Sequence, residues 1–158
     1  MNIEEFVALL SKDLANEYSH WHFYMQAATN VRGLHRQELS EFFSEQAEGE
    51  MKHVDQFRRV LQGLITRRGL DAQVPNFVAH FKQGLSCPKA LLRAALEMED
   101  QVVNNYVTRT EQASYLQENG GKDRDDGKYV ELFLENQIMD SRADADNIRE
   151  MLENAIDA

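Results

Sequence analysis

No run of apolar residues approaches the roughly eighteen needed to span a bilayer as a helix, which excludes a membrane-embedded helical protein. Cysteine occurs once, at Cys87, so no intrachain disulfide can form, and the chain is expected in a reducing, cytoplasmic compartment. A secretory leader is not expected either: "MNIEEFVALLSKDLANEY" starts acidic and amphipathic, without a basic start or an apolar block. Proline occurs twice and glycine eight times in 158 residues, and β-branched residues are sparse, which disfavours sheet and favours long helices. Positive charge is scarce: 17 Lys and Arg stand against 27 Asp and Glu, a net charge of −10. A surface of that sign repels nucleic acid and attracts cations, and the short basic patch "TRRG" at 66–69 does not reverse it. Neither nucleic acid nor membrane is therefore expected as a partner.

What the chain does have is helical period. Apolar residues recur at three- and four-residue steps over about 3–31, 37–67, 88–119 and 128 to the end. Pro88 suits a first helical position. The segment "NGGKDRDDG" at 119–127 reads as a loop from its glycines and charges. Helices of this size are roughly 45 Å long. A short "RGLHR" turn makes the first two antiparallel neighbours. The second and third are joined by "GLDAQVPNFVAHFKQGLSCP", long for a bundle loop and able to run the length of the bundle. "NFVAHFKQ" within it is expected as a short helix packed outside. The expected fold is all-α: one domain over 1–158, a four-helix bundle with one long crossover between helices two and three and no fifth helix.

The core-facing stripes contain acids. The first stripe includes Leu10, Leu14, Glu17, Trp21 and Tyr24; the second Phe43, Glu50, His53, Phe57 and Val60. The third includes Leu92, Ala95, Glu99, Val102 and Tyr106; the fourth Leu134, Gln137, Ser141, Asp144 and Ile148. One such acid can sit at the edge of its stripe and reach water. Four at matching depth cannot be dismissed that way, because burying an unpaired carboxylate costs several kcal/mol. No Lys or Arg occupies the central part of the stripes. Two divalent cations would match the charge of Glu17, Glu50, Glu99 and Asp144. Glu50 and His53, three apart on one helix face, can bind together, and carboxylates with one imidazole suit Fe²⁺, Mn²⁺ or Zn²⁺.

With these residues in place, the chain resembles the ferritin-like superfamily over essentially its whole length, and the bacterioferritins over its first half. "NEYSHWHFY" is similar to their first-helix segment, which implies Glu17 as a metal-binding glutamate with Tyr24 two helical turns on. "EGEMKHVDQF" is similar to their Asp-Glu-Met-Lys-His-Ala-Asp, which implies Glu50 and His53 as di-iron ligands, Glu50 bridging. In "ALEMEDQVVNNY" string matching selects Glu97, whereas periodicity selects Glu99; Glu97 stands in reserve. The fourth helix departs from the family pattern, since "MDSRADAD" puts Ser141 and Asp144 where a second Glu-x-x-His is usual. That implies a weakened second metal position. The lack of a fifth helix resembles the Dps-like miniferritins and implies a homo-oligomer, a twelve-subunit shell ahead of a 24-subunit shell or a dimer.

The implied function is binding of Fe²⁺, its oxidation by O2 or H2O2 at a di-iron site within the bundle, and storage or detoxification of Fe³⁺: a ferroxidase. Two alternatives stand beside it. One is a di-metal peroxidase or oxygenase of rubrerythrin-like type; the other is a degenerate, non-catalytic metal-binding or assembly bundle, favoured by Ser141. Trp21 and Tyr24 are candidate redox residues, against an ordinary core role. Met51 is the candidate haem ligand, against an apolar contact at a dimer interface. His20 and His22 are expected at the surface or stripe edge. His35, His80 and Cys87 carry no assigned role. Asp123 to Asp126 read as a solvated loop, with an ion-pore lining as the alternative.

Overall fold

A computed structural model describes residues 1–76, 80–118 and 123–158. Four helices make up the fold: α1 (Ile3–Asn30), α2 (Arg36–Arg68), α3 (Pro88–Glu118) and α4 (Asp123–Glu153). Among the described residues no strand occurs, and no helix is long and apolar enough to cross a membrane.

The helix ends follow local chemistry. The side chain of Asn2 accepts from the Glu5 N–H at 2.8 Å, and Glu5 reaches back to the Asn2 N–H at 3.1 Å, so two orphan donors are met at the start of α1. At the end of α2, Gly69 takes φ +62° and its N–H closes on the carbonyls of Ile65 and Thr66. Arg67 and Arg68 lie in that last turn, where cations suit the helix dipole. α3 starts on Pro88 and has no acid of its own in the first turn. Asp157, from the far end of the chain, accepts the Lys89 N–H at 3.0 Å instead. The Ala158 carbonyl accepts the Leu34 N–H at 2.7 Å, so the C-terminal segment ties the α1–α2 turn to the start of α3.

α1 packs on α2 and α3 on α4, giving two hairpins; α1 lies across from α3, and α2 from α4. The crossover touches three helices. Arg58 of α2 donates to the Pro75 carbonyl at 3.2 Å, Phe81 lies 6.1 Å from the His22 ring of α1, and Lys82 pairs with Glu97 of α3 at 2.9 Å. Two apolar clusters fill the bundle. One gathers Phe6, Leu10, Leu14, Phe57, Leu61 and Leu134; the other gathers Phe23, Tyr24, Phe43, Leu91, Leu92 and Ile148. Between them lies a polar waist that includes Glu17, Glu50, Glu99 and Ser141, all buried.

Two expectations are corrected. The fourth helix begins at Asp123, five residues before Lys128, so Asp123 to Gly127 are helical rather than a loop, while residues 119–122 lie outside the described set. Gly127 is there for packing, not for a turn: a Cβ on it would sit 2.7 Å from the Ala113 carbonyl oxygen of α3. Asp126 is not freely solvated, since Arg67 reaches it at 2.9 and 3.1 Å and Arg68 at 3.8 Å. Of the expected outer helix at 76–83, residues 77–79 lie outside the described set, and residues 76 and 80–83 are not helical.

Candidate metal centre

The waist is assembled by period alone. Glu17 and Tyr24 lie on the core face of α1, Glu50 and His53 on that of α2, Glu99 and Tyr106 on that of α3, and Ser141 and Asp144 on that of α4. Glu17, Glu50 and Glu99 are 2%, 4% and 1% exposed. His53 is half-buried; its Nδ1 is 3.4 Å from Glu50 Oε2 and its Nε2 is 3.5 Å from Asp140 Oδ2. Ligand atoms from Glu17, Glu50 and His53 all lie within 4.8 Å of one another. Each helix of one hairpin thus faces a partner across the waist.

Two phenols hold two of the carboxylates. Tyr24 donates to Glu99 Oε1 at 2.8 Å, and Tyr106 donates to Glu17 Oε1. Glu50 Oε2 and Glu99 Oε2 are buried with no hydrogen-bond partner. Orphaned buried oxygens are rare and costly, and here they belong to acids that face one another. The acids respond by holding their protons. Glu17 is raised well above the ordinary carboxylate range, first by burial and then by Glu50. Glu50 is pushed up to about 8 by burial and next by Glu99. Glu99 is also pushed up to about 8 by burial, against which its Tyr24 hydrogen bond works. Asp144 is raised less, by burial first, with His53 pulling it down. The phenols of Tyr24 and Tyr106 are raised well above their usual value, again by burial first and then by Glu99 and Glu17 respectively.

No side-chain cation offsets these acids. The nearby guanidinium of Arg109 is already committed to Asp13, at 2.6 and 3.0 Å, one turn away along α1. Three buried carboxyls, one imidazole and two unpartnered oxygens make a donor set that fits divalent first-row cations. An opening of about 220 Å³ between α2 and α4 gives access, lined by Glu45, Gly49, Glu50, His53, Asp140 and Asp144. Nothing lies within 4 Å of where a Cβ on Gly49 would stand, so the approach is open there.

The other sequence candidates fall as follows. Glu97 is exposed and paired with Lys82, on the face away from the waist, while Glu99 points in. Asp144 is half-buried and lines the opening rather than the tight group formed by Glu17, Glu50 and His53. Tyr24 is fully buried at Glu99; Trp21 is half-buried, its ring 5.5 Å from that of His22. Met51 is 47% exposed. His20 is a correction: expected at an edge, it is buried, and burial and then His53 lower its pKa to about 4. A helical stripe is wide enough to include both the i+3 and i+4 neighbours of Glu17, and His20 is the i+3 neighbour. Tyr106, Asp140 and Asp13 were not singled out by the sequence reading. The signal for Tyr106 was present: it follows Glu99 by seven residues, as Tyr24 follows Glu17.

No curated protein matches the chain in sequence. Solved structures do match in shape. A ferritin-like, diiron-carboxylate protein of Bacillus anthracis superposes with a TM-score of 0.80 at 24% identity, over 96% of this chain and 99% of its own. The bacterioferritin of Mycobacterium tuberculosis gives 0.73 at 16% identity, over 97% of this chain and 87% of its own. A dodecameric thioferritin of Bacteroides fragilis gives 0.59 at 18% identity, over 98% and 92%. These likenesses speak for the fold, and the model of the ferritin-like domain matches residues 7–155. The chain belongs to the ferritin-like domain family.

Proposed function

We propose that the chain takes Fe²⁺ as its substrate, passes its electrons to O2 or H2O2, and stores or detoxifies the Fe³⁺ formed. The observation that carries this reading is the pair of unpartnered buried oxygens on Glu50 and Glu99, set among acids with no cationic side chain to meet them. A structural role would leave such atoms hydrogen-bonded; a cation-binding role requires them free. The protein's part is to hold two cations close with positions open to oxidant. The centre is uneven. Glu17, Glu50 and His53 form the firm position, and Glu50, Glu99 and Asp144 the loose one, because Ser141 offers a hydroxyl where a carboxylate would bridge. Asp140 at the second His53 nitrogen would orient the imidazole.

Anaerobic titration with Fe²⁺, followed by oxygen-consumption measurements, tests the reading. It expects one tight and one weak equivalent per chain and Fe²⁺-dependent uptake of oxidant. Two equally tight equivalents would overturn the unevenness, and no binding at all would overturn the function. Iron loading well beyond two per chain, in an assembly sized by light scattering, marks storage. Loading that stops near two marks the rubrerythrin-like alternative. An intact fold that binds metal but consumes no oxidant marks the non-catalytic one, which Ser141 favours. A homo-oligomer is part of the proposal, a twelve-subunit shell first, as the Bacteroides fragilis relative is described. So is a cytoplasmic setting. Met51 is exposed enough to meet a second chain, where haem is the lesser reading; a Soret band in purified protein decides it. Tyr24 remains the better-placed redox candidate than Trp21, since it touches Glu99.

A further inference from the structure

We propose that Tyr106 is a positioning residue of the centre: its hydroxyl fixes Glu17 so that this carboxylate meets a cation through one oxygen. The inference rests on the metal-binding reading above and names a side chain that reading does not use. Its basis is a reciprocal exchange between α1 and α3. Each helix carries a glutamate and, seven residues later, a tyrosine: Glu17 with Tyr24, Glu99 with Tyr106. Seven residues are nearly two turns, so both stand on one face. The two helices run in opposite senses at this point, which brings each tyrosine opposite the other helix's glutamate. Tyr24 of α1 donates to Glu99 of α3, and Tyr106 of α3 donates to Glu17 of α1.

The consequence for coordination is geometric. A carboxylate with one oxygen held by a phenol O–H keeps its other oxygen for a cation, and its rotation is blocked. Glu99 shows this division directly, with Oε1 on Tyr24 and Oε2 unpartnered. Glu17 has its Oε1 on Tyr106 and is also in hydrogen-bond contact with Glu50. Tyr106 is itself fixed. It is 2% exposed, its ring meets Phe57 of α2 edge-on at 6.3 Å, and one turn further along α3 Arg109 grips Asp13 of α1. Groups that orient a ligand from behind are worth about 10- to 100-fold in metal affinity. A phenol present only to satisfy a buried polar atom would affect stability and leave affinity alone.

The test uses Co²⁺, whose visible absorption reports coordination, on the full-length, metal-free protein. Tyr106→Phe keeps the ring and removes the hydroxyl. The expected result is about a ten-fold loss of affinity for the first Co²⁺ equivalent with an altered visible band. In Tyr24→Phe the change falls on the second equivalent. A folded Tyr106→Phe protein with unchanged first affinity and unchanged band overturns the inference while leaving wild-type metal binding standing. A wild-type chain that binds no Co²⁺ overturns it together with the reading it rests on. Should Tyr106→Phe fail to fold, 3-fluorotyrosine incorporated into the Tyr24→Phe protein strengthens the remaining phenol at the centre as a donor. The Co²⁺ band must then move against unlabelled Tyr24→Phe protein; an unmoved band overturns the inference.

Discussion

Glu50 shows what the waist costs when no cation is present. Its carboxyl is buried against Glu99 and pushed up to about 8, where the unfolded chain would titrate near 4.5. The folded state therefore binds more protons than the unfolded state between those values, and stability falls as pH rises through that window. Glu99 behaves the same way, and Glu17 in the same direction. His20, lowered to about 4, works oppositely on the acid side, losing its contribution as pH falls below about 6.5. The metal-free chain is thus expected to show a urea midpoint that drops from pH 6 to pH 9, and divalent-cation affinity that rises over the same span. A midpoint flat across that range would contradict the burial of these acids. Glu50→Gln removes the strained acid. It should stabilise metal-free protein at pH 8 by on the order of 1 kcal/mol while abolishing the first Co²⁺ equivalent; calorimetric titration and urea melts measure both. At this scale the sequence displayed which face Glu17, Glu50 and Glu99 occupy, because period fixes direction. It did not display who meets them: the Tyr106–Glu17 and Arg109–Asp13 contacts depend on the stagger of α1 against α3, which no single helix encodes.

Among elements, α3 and α4 carry the lessons. Gly127 was read as a turn residue together with its charged neighbours, yet it lies in α4 where that helix approaches the Ala113 carbonyl. Glycine is ambiguous in sequence, since loops want its freedom and close helix crossings want its lack of a side chain. The sign of a mutation separates the two. In an open helix Gly→Ala gains about 1 kcal/mol; Gly127→Ala is expected to lose about 1–3 kcal/mol instead, from overpacking against backbone. A rise in thermal midpoint would refute the close crossing. The start of α3 is held by Asp157, so Asp157→Ala should cost about 1 kcal/mol, while Asp157→Asn should keep most of that as a neutral cap. Chemical denaturation resolves the pair. Helix existence and period were legible along the whole chain, and the ends of α1, α2 and α3 fell within a residue or so of expectation. The borrowed cap was not, because a helix N-terminus capped from sixty-eight residues away leaves no local mark.

For the molecule as a whole, the waist is where the two hairpins share charged groups. A cation bound there touches α1 and α2 from one hairpin, and α3 or α4 from the other. Binding to the folded state alone stabilises by about 2.7 kcal/mol at a hundred times the dissociation constant. Saturating Zn²⁺, which supplies no redox chemistry, is therefore expected to raise the thermal midpoint by several degrees, and the rise should vanish in Glu50→Gln. A shift of equal size in both proteins would place the Zn²⁺ elsewhere.

The opening between α2 and α4 has a further consequence. It is acidic, whereas the opposite flank is crossed by the α2–α3 connection with its Lys82–Glu97 pair. The bundle is therefore directional toward ions, with a front and a back. How copies are oriented in any assembly decides which compartment this mouth drains: turned inward, it communicates with the enclosed volume; turned outward, with bulk solvent.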